Sequence, residues 1–456
     1  MLHHFSDLMN MQHILIIGAG RSSTVLINYL KAYASREGVY LTVADTDVNL
    51  AQAKAGEGSN KIKAMAIDIF DEAQLTAAVK GADVVISMVP ASFHLPVAKA
   101  CLAHQKHMIS ASYVSPEVRE LNGEAQKKGV LILKECGLDP GLDHMTAMEV
   151  INRIRKEGGE LLSFKSFTGG LVAPESDNNP WNYKFSWNPR NVVLAGQGTA
   201  QYIRHGQYKY IPYHKLFTRT EPIEVDGMGE FEGYANRDSL SYRQVYGIDN
   251  IPTLLRGTIR RKGYSRAWNV FVQLGMTDDT YQLEGVSKMT KRDFVNAFLP
   301  YNESASVEEK LCTYTGIERE GEEFKKIAWL GMFDEEPLHM QKATPAQVMQ
   351  KILEEKWQLG PEDKDMIVMQ HKFEYQLKGE NREIVATLVS KGDDPQQTAM
   401  AKTVGLPLGI AAKLLLEGKI TRTGVCVPIT ADIYEPILEE LKELGIYMEE
   451  KEDTLA

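Results

Sequence analysis

Short apolar runs separated by amphipathic stretches open the chain. His13–Ile17, Tyr40–Ala44, Ile62–Ile67, Val84–Met88, Met108–Ile109 and Val130–Leu133 are apolar almost throughout, as strands buried on both faces are. Helical spacing lies between them, as from Ser23 to Leu30, and Pro116 starts another helix at a favoured first-turn position. Strands alternating with helices predict an α/β fold with a parallel, doubly wound sheet. Ligands of such sheets bind beyond the carboxyl ends of the strands. The loops Gly18–Ser22, Val89–His94, Ser110–Tyr113 and Leu138–Pro140 are therefore expected to converge on one crevice.

From Leu161 the texture changes. Phe164–Gly170, Glu230–Tyr234, Val270–Leu274, His371–Leu377 and Glu383–Val389 read as strands, the last two joined by a turn at Gly379-Glu380-Asn381. Asp177–Trp187 reads as a polar, aromatic loop. Lys291–Leu299, Val307–Cys312 and Pro345–Trp357 read as amphipathic helices, with Thr344 capping the last. Thr398–Leu416 is an apolar helix that needs a buried place, and the tail from Pro436 reads as a charged helix and a short strand. The expected organisation is a dinucleotide-binding domain over 11–140 with 395–456. An α+β substrate and dimerisation domain with a mixed sheet covers 141–284 with 366–394, and a helical insertion, a lid, covers 285–365.

Composition narrows the partners. Of 456 residues, 43% are hydrophobic and 25% charged, ordinary for a protein with a large core. A net charge of -10 disfavours nucleic acid, which needs clustered Lys and Arg, but leaves room for a local cationic pocket. Cys101, Cys136, Cys312 and Cys426 are widely spaced and show no zinc-ligand pattern, which predicts no metal and fits a reducing, cytoplasmic setting. No run of about 18 apolar residues is seen, so no membrane span is expected. Residues 1–10 lack the layout of a signal peptide and read as an appendage or a misassigned start.

Candidate chemistry begins at Gly18-Ala19-Gly20-Arg21-Ser22-Ser23, between a strand and a helix. Gly18 permits a tight turn and Gly20 lets a pyrophosphate approach backbone N–H groups at the helix start. Ser23 replaces a usual third glycine. Asp45 ends the next strand, where a carboxylate can bind both ribose hydroxyls and repel a 2′-phosphate; this predicts NAD over NADP. The alternative is that Asp45 caps the helix near Val48. Asp68-Ile69 follows the third strand, at the adenine edge. Glu135–His144 crosses from the last strand into a helix, and its Asp139 stands at the strand ends, although Asp before Pro is also a common turn pair. Asp143 reads as an N-cap, and His94 and His144 as structural hydrogen-bonders. Arg237 and Arg256 lie in short polar clusters that suit carboxylates.

Together these residues match a known family. The chain resembles saccharopine dehydrogenase of the L-glutamate-forming kind, also called saccharopine reductase, nearly end to end. The resemblance is carried by Ser112–Pro116, Gly137–His144, Tyr183–Trp187, Asn236–Ser239, Arg256–Thr258, Met369–Phe373 and Thr403–Gly405. It implies a Rossmann-type domain completed by the C-terminal segment, a mixed-sheet substrate domain, a helical insertion and a homodimer. It implies that Ser112, Tyr113, Asp139, Arg237, Arg256, Gly257 and Thr258 line the substrate site. It implies that Ala19 to Ser22, Asp45, Thr46, Asp68, Ile69, Val89, Ala111, Ser112, Leu138, Asp139 and Pro140 touch the cofactor, beside the Gly18 turn. Fungal members that use NADP look to carry a basic residue at Asp45, which reinforces the expectation of NAD. Some members look to carry a cysteine at Thr168, so no essential thiol is expected.

The expected reaction is oxidation of the secondary amine of saccharopine, a tricarboxylate, to an imine that hydrolyses to glutamate and 2-aminoadipate 6-semialdehyde, or the reverse. Asp139 is the expected base and Tyr113 its orienting partner. The alternatives are a carboxynorspermidine- or homospermidine-type imine-linked oxidoreductase, whose amine substrates want acids where this chain has arginines, and a catalytically silent nucleotide-binding protein.

Overall fold

A computed structural model describes residues 12–57 and 59–455; the appendage expected over residues 1–10 lies outside them. The chain divides into two compact units. One runs to Glu157 and takes in Gln396–Met448; the other is Gly158–Pro395 with the segment from Glu449.

The first unit is built on a seven-stranded parallel sheet. Its spatial order is Gly424–Cys426, Leu131–Leu133, His107–Ser110, Val84–Ser87, His13–Ile17, Tyr40–Asp45, Ile62–Ala66. Ile14 to Ile17 and Val84 to Ile86 are at most 1% exposed, which is why these strands read as unbroken apolar runs. The order reverses between His13–Ile17 and Val84–Ser87, so the glycine turn and the loop after Ser87 flank the switch point where such sheets hold ligands. Helix Val48–Ala55 is capped by Asp47, whose carboxylate accepts from Asn49 and Leu50 N–H; the capping alternative for Asp45 is thereby corrected.

The late helix Ala399–Leu416 packs on helix Thr24–Glu37 in this same unit. A Cβ at Gly405 would stand 2.9 Å from Leu26 N, so the contact is set by backbone proximity. Among the described residues this helix is long and apolar enough to cross a membrane, yet 78% of it is buried within the structure. Helix Leu142–Lys156 also stays with this unit, tied to helix Ala431–Glu443 by Asn152 Nδ2 donating to Tyr434 Oη at 3.0 Å. The chain therefore leaves the first unit after Glu157, later than the Pro140/Gly141 crossing expected.

The second unit carries a mixed sheet. Thr220–Val225, Gly229–Ala235, Thr253–Arg261, Glu160–Val172, Asp365–Leu377, Glu380–Lys391 and Glu449–Thr454 follow one another, and only Thr253–Arg261 with Glu160–Val172 is parallel. The C-terminal strand thus joins this sheet, not the first unit. Val270–Leu274, expected as a strand, belongs to helix Tyr264–Leu274. Trp268 and Phe271 sit at helical spacing on its buried face, against Trp181 and Trp357. The aromatics of the Asp177–Trp187 loop are core rather than loop furniture: Trp181 and Tyr183 are at most 1% exposed. Helix Pro345–Lys356 begins with a capping box in which Thr344 Oγ1 accepts from Gln347 N–H and Gln347 Oε1 accepts from Thr344 N–H.

Candidate active site

The glycine turn fits a bound dinucleotide. Gly18 has φ +107, and a Cβ there would meet the Met88 backbone at 3.0 Å; around Gly20 a Cβ would meet nothing within 4 Å. Among the described residues no side chain caps the short 3-10 turn Arg21–Ser23 or the helix Thr24–Glu37, as suits a helix start that receives a phosphate. Arg21 and Thr46 are exposed, and Ser22 is half-buried. Asp45 is occupied: one carboxylate oxygen accepts from Ala19 N–H at 2.6 Å and the other from Asp47 N–H at 3.0 Å. Lys54 reaches the same turn, donating to Gly20 O and to Ser23 Oγ. Half-burial pulls its ammonium down to about 8, with Asp45 opposing. At the third strand end Asp68 accepts from Phe70 N–H, Ile69 is buried, and exposed Phe70 packs edge-on against Phe93 at 5.0 Å.

At the ends of the fourth to sixth strands the structure brings together Ser112, Tyr113 and Asp139. Tyr113 Oη donates to Asp139 Oδ1 at 3.3 Å. Asp139 is half-buried, joined to Pro140 by a cis bond, in a loop that coils on itself. Gly137 N–H donates to Pro140 O, Leu142 N–H to Gly137 O, and Asp143 N–H to Leu138 O. A Cβ at Gly141 would lie 2.2 Å from Gly137 N, and one at Gly137 2.7 Å from the Ala111 methyl. Gly141 is required by backbone approach and its positive φ, Gly137 by the Ala111 methyl. Asp143 lies inside the helix Leu142–Lys156 and accepts from Gly141 N–H at 2.6 Å, so it braces the turn from the first helical positions rather than standing at the N-cap.

Beneath this loop lies a buried polar cluster. Glu135, with φ +57, accepts from Val114 N–H at 2.9 Å and lies 2.9 Å from His144 Nε2, binding the Tyr113 loop to the Asp139 loop. His94 Nδ1 is 2.9 Å from Ser87 Oγ and its Nε2 is 2.7 Å from Ser112 Oγ. Burial, then the Lys134 charge, holds His94 neutral, down to about 3. Lys134 donates to Ser110 Oγ at 3.2 Å; burial lowers it to about 8, with Glu135 opposing. Burial pushes the Cys136 thiol far up, so it is inert packing. Val89 and Ala111 are half-buried on the same strand ends, and Leu138 is buried.

In the second unit Arg237 and Arg256 are brought close by backbone bonds. Asn236 N–H donates to Arg256 O and Arg256 N–H to Ser239 Oγ, each at 2.8 Å. Arg237 is exposed; Arg256 is buried, its guanidinium 3.9 Å from the Tyr242 ring centroid. Thr258 is half-buried and registers with Thr168, whose buried hydroxyl has no hydrogen-bond partner among the described residues. At Gly257 the Cβ position is filled by the Phe167 ring at 2.4 Å, which leaves only backbone to offer a ligand.

The sequence expectations include neither Lys54 nor Lys134, and His94 reads there as a structural hydrogen-bonder. The usable signal was a charged pair, Lys134-Glu135, directly after an apolar strand. Lys54 gave none, because its helix reaches the turn only in three dimensions.

Comparison with known proteins bears on all of this. A family model described as the saccharopine dehydrogenase NADP binding domain matches residues 14–133, and one described as the saccharopine dehydrogenase C-terminal domain matches 137–446. The chain is 35% identical over 450 residues to the saccharopine dehydrogenase (NADP(+), L-glutamate-forming) of Schizosaccharomyces pombe, covering 97% of this chain and 99% of that one. It is 35% identical to the mitochondrial alpha-aminoadipic semialdehyde synthase of Mus musculus, covering 97% of this chain but only 48% of that longer protein. The structure of an apo saccharopine dehydrogenase (L-Glu forming) from Saccharomyces cerevisiae superposes with a TM-score of 0.87 at 32% identity, covering 98% of this chain and 100% of that one. A homospermidine synthase from Legionella pneumophila, at a TM-score of 0.57 and 10% identity, shares the fold. The NADP-binding model and the NADP(+)-named relative overturn the expectation of NAD over NADP. The physical reason is local: the Asp45 carboxylate is used by Ala19 and Asp47, and Lys54 brings a cation to the turn.

Proposed function

The chain belongs to the saccharopine dehydrogenase family, L-glutamate-forming, and from that premise we propose how its residues divide the work of interconverting saccharopine with L-glutamate and 2-aminoadipate 6-semialdehyde. The cofactor is NADP, which supplies the hydride acceptor when bound. Gly18 to Ser22 hold its pyrophosphate, with Lys54 and Arg21 beside the turn. Thr46, Asp68, Ile69, Val89, Ala111, Leu138 and Pro140 line the rest of its groove.

Loss of hydride from the lysine-side carbon and of a proton from the neighbouring nitrogen gives an imine. Water adds to that carbon, and the carbon–nitrogen bond breaks to release aldehyde and glutamate. Asp139 takes the amine proton and guides the water, oriented by Tyr113. Arg237, Arg256, Thr258 and the Gly257 backbone hold carboxylates of the substrate, and Ser112 holds another. The observation that carries this reading is the Tyr113–Asp139 hydrogen bond at the strand ends.

The test is Asp139→Asn at saturating saccharopine and NADP. A fall in kcat of about 10²- to 10⁴-fold is expected, with loss of the limb that reports the base; near-native rates would remove Asp139 from the role. We also read the chain as a cytoplasmic homodimer, from family resemblance and from four free cysteines. Sedimentation at the monomer mass, or recovery of the full chain in another compartment on cell fractionation, would reject that.

A further inference from the structure

Ser87, His94, Ser110 and Lys134 form a cluster at most 2% exposed under the strand ends, and the proposed chemistry uses none of them. Ser112, half-buried, is the member that reaches outward. A neutral imidazole has one donor nitrogen and one acceptor. If Nδ1 carries the proton, Ser112 must give its own proton to Nε2 and offers only lone pairs outward. If Nε2 carries it, the ring donates to Ser112 Oγ, Nδ1 accepts from the Ser87 hydroxyl, and the Ser112 proton is released to point outward. A tricarboxylate requires the second arrangement.

We propose that His94 is a positioning residue which, as the Nε2-protonated tautomer, turns the Ser112 hydroxyl outward as a donor to a substrate carboxylate. This rests on the reading of Ser112 as a substrate contact. Lys134 and Ser112 N–H both donate to Ser110 Oγ, at 3.2 and 3.3 Å, which fixes the backbone turn carrying Ser112. The buried ammonium also keeps a second proton off the ring, which preserves the donor–acceptor asymmetry on which the arrangement depends.

The experiment compares His94→Gln and His94→Asn, each alone and combined with Ser112→Ala, by steady-state kinetics with saccharopine and NADP. Glutamine's amide nitrogen reaches the position of Nε2; asparagine's reaches only that of Nδ1. Asparagine is expected to raise KM about 10- to 100-fold with little change in kcat, the worth of a hydrogen bond to a charged group. Glutamine should restore most of it, and asparagine should cost nothing further once Ser112 is alanine. Equal losses with and without Ser112, or glutamine no better than asparagine, overturn the inference alone. Native kinetics in Ser112→Ala removes the reading of Ser112 and the inference with it. Should the His94 variants fail to fold, imidazole nitrogen NMR on the native chain decides: a proton on Nδ1 overturns the proposal.

Discussion

Asp45 ends its strand with each carboxylate oxygen accepting a backbone N–H. Its place at the strand end was legible from the sequence; its use was not, because Ala19 becomes its partner only when the sheet forms. His94 poses the same problem, since a lone histidine after a proline-containing loop does not disclose three serines and a lysine around it. The structure gives it a consequence for stability. Its folded-state value is about 3 against an ordinary 6.5. Between those values the unfolded chain binds a proton that the fold refuses, so stability is full above pH 6.5 and is lost as pH falls toward 3. His94→Gln removes that contribution. Urea titrations from pH 6.5 to 4 should show a shallower decline in the variant than in the native chain; parallel curves would mean the imidazole is not held neutral.

Periodicity read most elements by type. Five of the first six strands announced themselves because two-sided burial leaves no polar alternation; the third, Ile62–Ala66, lies at the sheet edge with no buried position and was legible from its apolar residues alone. The late hairpin was legible too, although its turn is the pair Lys378-Gly379, with φ +53 and +87, one residue earlier than expected. Within helix Tyr264–Leu274 the local alternation of Val270 and Val272 imitates a strand, and the aromatic face appears only when Trp268 and Phe271 are counted at helical spacing. At Gly405 the sign of a substitution follows from competition between two effects. Alanine in a helix interior should gain up to about 1 kcal/mol over glycine. Here the new methyl meets the Leu26 backbone at 2.9 Å, and overpacking costs about 1–3 kcal/mol. Gly405→Ala should therefore lower the urea midpoint with an unchanged slope, while Gly418→Ala, at an open left-handed position of φ +70, tests backbone strain alone.

For the molecule as a whole, the sequence disclosed a doubly wound half and a mixed-sheet half, and the need of the late apolar helix for a buried place. It could not disclose that helix Leu142–Lys156 stays behind with the first unit or that Glu449–Thr454 returns to the second, since both assignments depend on long-range pairing. Because the first unit is discontinuous, residues 12–157 alone should not fold cooperatively, whereas 12–157 joined by a flexible linker to 396–448 should give a single urea transition; a cooperative transition in the shorter fragment would contradict this. The strand Gly424–Cys426 closes the edge beside Leu131–Leu133, and helix Ala399–Leu416 covers helix Thr24–Glu37. During translation these two pieces leave the ribosome only after Gly158–Pro395, all of the second unit but its C-terminal strand, has been made. The nascent cofactor half must wait with an unpaired strand edge and an uncovered apolar helix face. A chain stalled before Gln396 is thus the species with the greatest call on chaperones, and slow codons placed just upstream should lower the yield of active enzyme more than the same codons placed beyond Met448.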